Sequence, residues 1–188
     1  MYYEILYGII AVIYFITFEK TVYRMKKLLS ISLILAAFLL LSTRSQAQDY
    51  KAAVGLKFGG YENGFSGKYF TTPDVAIEGL LGFRSHGVVI TGLYEFNQVA
   101  FGVKELKFYY GAGAHIGAEG KGIYRRFNGD DQLYNDSHIL LGVDGVLGLE
   151  YLIPQSPIAV SLDLNPRAEL ATGPFFDIAP GLGLKYTF

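Results

Sequence analysis

The sequence predicts an all-β fold of eight antiparallel, up-and-down strands closed into a barrel and preceded by a cleaved leader. Three observations carry this expectation. From residue 48 onward, apolar residues alternate with small, polar or charged ones, and no helical period is found. The composition suits strands in close backbone contact, with 23 Gly, 15 Tyr and 14 Phe but no Trp. The last stretch alternates strictly: Ile178, Pro180, Leu182, Leu184, Tyr186 and Phe188 fall on one face, and Asp177, Ala179, Gly181, Gly183, Lys185 and Thr187 on the other.

The leader bounds the folded part. Met25-Lys26-Lys27 precedes an almost wholly apolar run from Leu28 to Leu41, followed by Ser45-Gln46-Ala47. A basic start, a short apolar run and a small-x-small site make a secretory signal peptide over 25–47. The run is shorter than the ~20 residues of a membrane-spanning helix. Residues 1–24 hold a second apolar run, Ile5 to Phe18, and are read as an over-extended start outside the fold. Removing 47 of the 188 residues leaves 141, one domain over 48–188. That domain carries 11 basic and 15 acidic side chains, a formal charge of −4, so it has no electrostatic footprint for nucleic acid. The absence of Cys excludes disulfides and thiol chemistry and argues against the usual zinc sites.

Eight runs read as strands. Ala52 to Phe58 sets Val54, Leu56 and Phe58 against Ala53, Gly55 and Lys57, and ends at the turn residues Gly59 to Gly64. Phe65 to Phe70 carries Lys68 on its polar side, before Thr71-Thr72-Pro73-Asp74. Ala76 to Arg84 opposes Ile77, Leu81 and Phe83 to Glu78 and Arg84. After Ser85-His86-Gly87, Val88 to Phe96 opposes Ile90, Tyr94 and Phe96 to Thr91 and Glu95. Asn97 to Lys107 reads as a weaker connection whose Val99-Ala100-Phe101-Gly102-Val103 stretch has the character to add a turn of strand. Phe108 to Gly117 opposes Phe108, Tyr110, Ala112, Ala114 and Ile116 to Tyr109, three glycines and His115. A long polar loop over 118–137 leads to the clearest run, His138 to Ile153, with Asp144 and Glu150 on its small face. Pro154 to Pro157 turns the chain into Ile158 to Asn165, which carries Asp163. Arg167 to Phe175 reads as a loop before the last strand.

Gly183-Leu184-Lys185-Tyr186-Thr187-Phe188 resembles the terminal signal of bacterial outer-membrane β-barrels, a Gly-x-x-aromatic-x-Phe ending on the final strand. The resemblance implies that Gly183, Tyr186 and Phe188 form a C-terminal signal for the barrel-assembly machinery. Gly181 departs from the pattern, which often has a polar residue there. The whole mature chain resembles small OmpA/OmpX-type barrels. Gly92-Leu93-Tyr94-Glu95, Tyr109 to His115 and Gly148 to Tyr151 are similar in style to outer-membrane β-barrel proteins of Bacteroidetes-type bacteria. The family places such chains in the outer membrane of Gram-negative cells. It implies outer-membrane lipids and lipopolysaccharide as surroundings and a monomeric barrel.

Alternation alone leaves the facing open, since a soluble lipocalin-type barrel alternates with its apolar face inward. The leader, the terminal Phe188, the Gly- and Ala-rich charged face and the aromatic residues near strand ends favour an eight-stranded antiparallel up-and-down transmembrane β-barrel with its apolar face outward. Its lumen then receives Lys57, Lys68, Glu78, Arg84, Glu95, His115, Asp144, Glu150, Asp163, Asp177 and Lys185. Eight strands enclose just enough space for side chains to fill. The expectation is a polar plug, not a large porin-like pore. With both mature termini in the periplasm, the first, third, fifth and seventh connections lie outside the cell.

No catalytic site, cofactor or metal is expected. Ser137 and His138 adjoin Asp136 in a lipid-modifying enzyme's residue types, but neighbours on a strand point to opposite faces. His115 suits a lumen hydrogen bond, and His86 lies in a turn. Asn63-Gly64 and Asn128-Gly129-Asp130-Asp131 lack calcium-loop spacing. Arg125-Arg126, between Tyr124 and Phe127, reads as a solvated loop. Gly111-x-Gly113 precedes no helix and so cradles no phosphate.

Overall fold

The computed structural model describes residues 50–124, 127, 130–171 and 175–188. Residues 1–24 and the signal-peptide segment 25–47 lie outside the described residues, as do Arg125, Arg126, Asn128 and Gly129. Among the described residues the strands are β1 (Ala52–Gly59), β2 (Asn63–Thr72), β3 (Val75–Phe83), β4 (Gly87–Ala100), β5 (Val103–Glu119), β6 (Gly122–Tyr124), β7 (Gln132–Tyr134), β8 (His138–Leu152), β9 (Ile158–Glu169) and β10 (Phe175–Thr187). Eight of them close a barrel in the order β1-β10-β9-β8-β5-β4-β3-β2, with every neighbouring pair antiparallel. Short connections join successive barrel strands in an up-and-down order, except between β5 and β8. β6 and β7 form a separate hairpin inserted between β5 and β8.

The seam joins the first strand to the last, from Ala53 opposite Thr187 to Gly59 opposite Gly181. Phe188 extends it, donating from its N–H to the Ala52 carbonyl and accepting from the Lys51 N–H. Closure leaves no open sheet edge, the requirement a strand structure meets in hydrocarbon. The termini of the described barrel and the connections β2–β3, β4–β5 and β8–β9 share one end, here the turn end. The other four connections share the loop end.

The polarity is inverted relative to a soluble barrel. The large apolar side chains Val54, Leu56, Phe58, Ile77, Leu81, Ile90, Tyr94, Leu147, Leu162, Leu164, Leu182 and Leu184 are exposed on the outer wall, whereas lysines, glutamates and aspartates are buried inside. Period two produces this directly: each strand sends alternate side chains to opposite faces.

Three features depart from the sequence expectation. Asn97 to Lys107 is mostly strand, with a register shift between Val99 and Ala100 that leaves residues 104–106 unpaired with β4. β4 runs to Ala100, β5 starts at Val103, and Phe101 and Gly102 form a two-residue turn with φ of 54° and 73°. The polar Asn97-Gln98 pair suggested a loop, yet Asn97 simply continues the inward row of Thr91, Leu93 and Glu95. β9 passes through Pro166 to Glu169. Pro166 lacks an N–H, and β8–β9 pairing skips this point without a change of register, resuming at Asp144 opposite Arg167. The outward Gly145 leaves room for the proline ring, since a Cβ there would lie 2.8 Å from Pro166 Cγ. Finally, the long loop contains the β6–β7 hairpin, in which Ile123 opposes Leu133.

Candidate functional site: the filled lumen and its loop-end mouth

The interior is built by strand parity plus missing side chains. Gly148 faces inward opposite Asp163, and a Cβ on it would come within 2.7 Å of both Asp163 Cβ and Tyr109 Cζ. At Gly142 a Cβ would meet the His115 ring at 2.5 Å. The inward glycines therefore clear the volume that long charged neighbours occupy.

At the turn end Lys68 Nζ lies 3.0 Å from Glu95, 3.7 Å from Glu150 and 2.9 Å from Asn97 Oδ1. Lys185 Nζ lies 2.8 Å from Glu78 and 3.5 Å from Glu150. Ser66 donates to Glu78 and Tyr50 to Glu150. Tyr50 lies just before β1 and plugs this end, packing edge-on against Phe70 at 5.1 Å with Ala53, Ala76, Leu152 and Ala159 around it. Lys107 Nζ sits over the Phe70 ring at 4.8 Å. Midway, Asp163 accepts from Tyr109 at 2.6 Å and pairs with Lys57 at 3.1 Å, while Lys57 also reaches Asn165. Leu80, Leu93, Tyr109 and Val146 form an apolar girdle within the lumen.

The loop-end layer converges on a loop residue. Glu62, between β1 and β2, accepts from Arg167 Nη1 and Nη2 at 3.1 Å each and from Arg84 Nε at 2.9 Å. These are fork-shaped, charge-assisted contacts. Arg167 also donates from Nε to Asp144 at 2.6 Å, and Arg84 pairs with Glu119 at 3.4 Å. The guanidiniums lie over the rings of Tyr61 and Tyr124, at 4.9 and 5.1 Å. Burial alone would raise the Glu62 carboxyl, but Arg167 and Arg84 outweigh it and hold the group below the usual carboxylate range. Inward-facing Gly82 makes room, because a Cβ there would lie 2.6 Å from Glu62 Cγ. His115 bridges two strands, Nδ1 at 2.7 Å from Asp144 and Nε2 at 3.0 Å from Glu169. Glu169 also accepts from the Leu141 N–H, and Asp177 from the Phe127 N–H at 2.8 Å.

Every one of the eleven residues assigned to the lumen from strand parity lies on the inner side of the wall or, for Arg84, folds over its rim. Parity put Asn165 on the polar face of its strand but did not reach Tyr50, Glu62, Asn97, Lys107, Glu119, Arg167 and Glu169. For Asn97, Lys107, Arg167 and Glu169 the signal was present, as the alternation simply continues beyond the expected strand ends. Glu62 and Tyr50 carry none, because they lie outside strands. Of the terminal residues, Gly183 faces inward, and Tyr186 and Phe188 pack ring against ring on the outside at 4.9 Å.

The lumen itself is largely filled, and the larger hollows, of about 310 and 300 Å³, lie at its turn end and loop end. A cavity of about 40 Å³ remains inside, bordered by Lys57, Thr91, Leu93, Asp144 and Arg167, room for a few waters. At the mouth, a cup of about 300 Å³ opens between Tyr61, Glu62, Arg84, Glu119 and Tyr124. The His138 ring packs at a tilt against Tyr134 at 4.1 Å, and its Nδ1 lies 3.4 Å from the Asp136 carbonyl. His138 thus works as a strand-entry contact.

No protein-family model matches the chain, and no curated protein matches it. Among solved structures, it is similar to the N-terminal β-barrel domain of Pseudomonas aeruginosa OprF. The TM-score is 0.56 at 17% identity, over 74% of this chain and 98% of that one. The chain therefore has the fold of that eight-stranded barrel. Neisserial surface protein A (NspA) aligns at a TM-score of 0.45 and 13% identity, over 73% of this chain and 94% of its own. Ail, the attachment invasion locus protein of Yersinia pestis, aligns at 0.40 and 16%, over 74% and 99%.

Proposed function

We propose that this chain is an integral outer-membrane barrel whose lumen is a structural plug and whose loop end is the surface it presents outside the cell. The observation that carries the reading is the inverted polarity of a closed barrel: large apolar side chains around the outside, ion pairs within. Such a wall suits hydrocarbon, and buried charges are tolerable only when paired. In this reading residues 25–47 are the removed signal peptide. Gly183, Tyr186 and Phe188 form the assembly signal, favoured by their place on the strand that closes the seam. The barrel is a monomer in contact with membrane lipids and lipopolysaccharide, and it is not an enzyme.

Purified protein reconstituted into planar lipid bilayers tests the plug. The expected record shows no sustained large conductance, because the lumen is crossed by Arg167–Glu62, Lys57–Asp163 and Lys68–Glu95 contacts. Stable large-conductance openings would contradict the reading.

A further inference from the structure

The tip of the β4–β5 hairpin combines two unfavourable features. Phe101 has a positive φ of 54°, in a turn where Asn or Gly fits without strain. Its side chain is 87% exposed, the most of any large apolar residue among the described residues. Val99 and Val103 flank it, also exposed, and Lys104 follows. A strained, solvent-facing phenyl ring at a protruding turn calls for a contact outside the barrel.

We infer that this tip is an anchor in the phospholipid headgroup–acyl boundary of the leaflet at the turn end, an inference that rests on the membrane reading above. The same hairpin's outer wall carries an aromatic cluster. Tyr94 meets Phe96 at 5.4 Å, Phe96 stacks on Tyr110 at 5.5 Å, and Tyr110 lies 6.0 Å from Phe108. Depth agrees. A ~25 Å apolar band, crossed by strands tilted ~45° with a ~3.3 Å rise, takes about eleven residues. Counted from Val88 at the loop end of β4, the band ends near Gln98. Phe101 then lies roughly 6 Å beyond, within the headgroup layer, which is about 5–7 Å thick. Lys104, exposed and three residues on, with Glu105 after it, gives the tip a polar flank beside its apolar residues, the mixed character that layer favours.

The chain has no Trp and no Cys, so a single reporter at this site reads without background. Phe101→Trp in the full chain, reconstituted in phospholipid vesicles, should emit to the blue of free tryptophan. It should be quenched several-fold more by lipids brominated near the headgroup than by lipids brominated near the chain end, and be shielded from aqueous iodide. Emission like free tryptophan, full iodide access and no bromolipid quenching would overturn the anchor and point to a soluble periplasmic contact. If Phe101→Trp does not fold, Phe101→Cys carrying a polarity-sensitive fluorophore gives the same readout. Heat-modifiable migration of each variant separates the two failures. A barrel in the vesicles with a wet tip sinks only the anchor, and a chain that never enters the bilayer sinks the membrane reading itself.

Discussion

The two halves of the lumen solve the same problem with different parts. At the turn end, Lys68 and Lys185 sit among Glu78, Glu95 and Glu150, all carried by strands and almost wholly withdrawn from water. At the loop end, Arg84 and Arg167 grip one carboxylate, Glu62, that arrives from a loop. Lysine is a compact charge that several carboxylates can share, whereas the guanidinium fork demands a planar partner in a fixed direction. The turn end is therefore a charge cluster held by the wall, and the loop end is a latch held by one side chain. The first should fail by leaving a buried charge unpaired, and the second by releasing a loop.

The largest expected effect falls on the cluster. Lys68→Met should lower stability by about 3–5 kcal/mol, since it strands carboxylates in a dry interior. Unfolding in denaturant from detergent micelles measures it. Adding Glu95→Leu should restore part of the loss, and a loss below about 1 kcal/mol for the single variant would mean the cluster is hydrated.

For the latch, Glu62→Gln should cost about 1.5–3 kcal/mol at neutral pH, the range for hydrogen bonds to charged groups. The pH dependence gives its sign. Arg167 and Arg84 depress this carboxyl in the fold, so its stabilisation is complete above the unfolded value of about 4.3 and is lost as pH falls through the lower folded value. Wild-type stability should fall across that acid window, and the Glu62→Gln difference should shrink with it. A difference unchanged by acid would remove the latch from the account.

Glycines sharpen the contrast between inside and outside. Gly148→Ala should destabilise by about 1–3 kcal/mol, because its Cβ would overlap Tyr109 and Asp163. On the outer wall a Cβ at Gly92 meets nothing within 4 Å, so Gly92→Ala should stay within about 0.5 kcal/mol. Equal losses at the two positions would mean that the inner wall can give way. The smallest effect is at the turn: Phe101→Asn should raise stability in detergent by up to about 1 kcal/mol, as Asn accepts positive φ.

The same division governs what could be read without the structure. Strand number, order and facing were legible because alternation at period two runs through each wall, as in His138 to Leu152, expected almost to the residue. The turn-end cluster is made of strand residues, so Lys68, Glu78, Glu95, Glu150 and Lys185 follow from parity alone. The loop-end latch does not. Glu62 sits in a turn where parity has no meaning, and Arg167 hides behind Pro166, which reads as a strand terminator although it only skips a ladder bond. The β6–β7 hairpin has three residues a strand, too few for alternation to register.

In the proposed reading a closed barrel faces lipid with its apolar side. Heat-modifiable gel migration of the protein from detergent-extracted outer membranes tests it most directly, since a closed barrel with all backbone groups paired resists unheated SDS. The expected result is a band that changes apparent mass only on boiling and stays with the membrane fraction. A protein that is soluble without detergent, with no shift on heating, would contradict it.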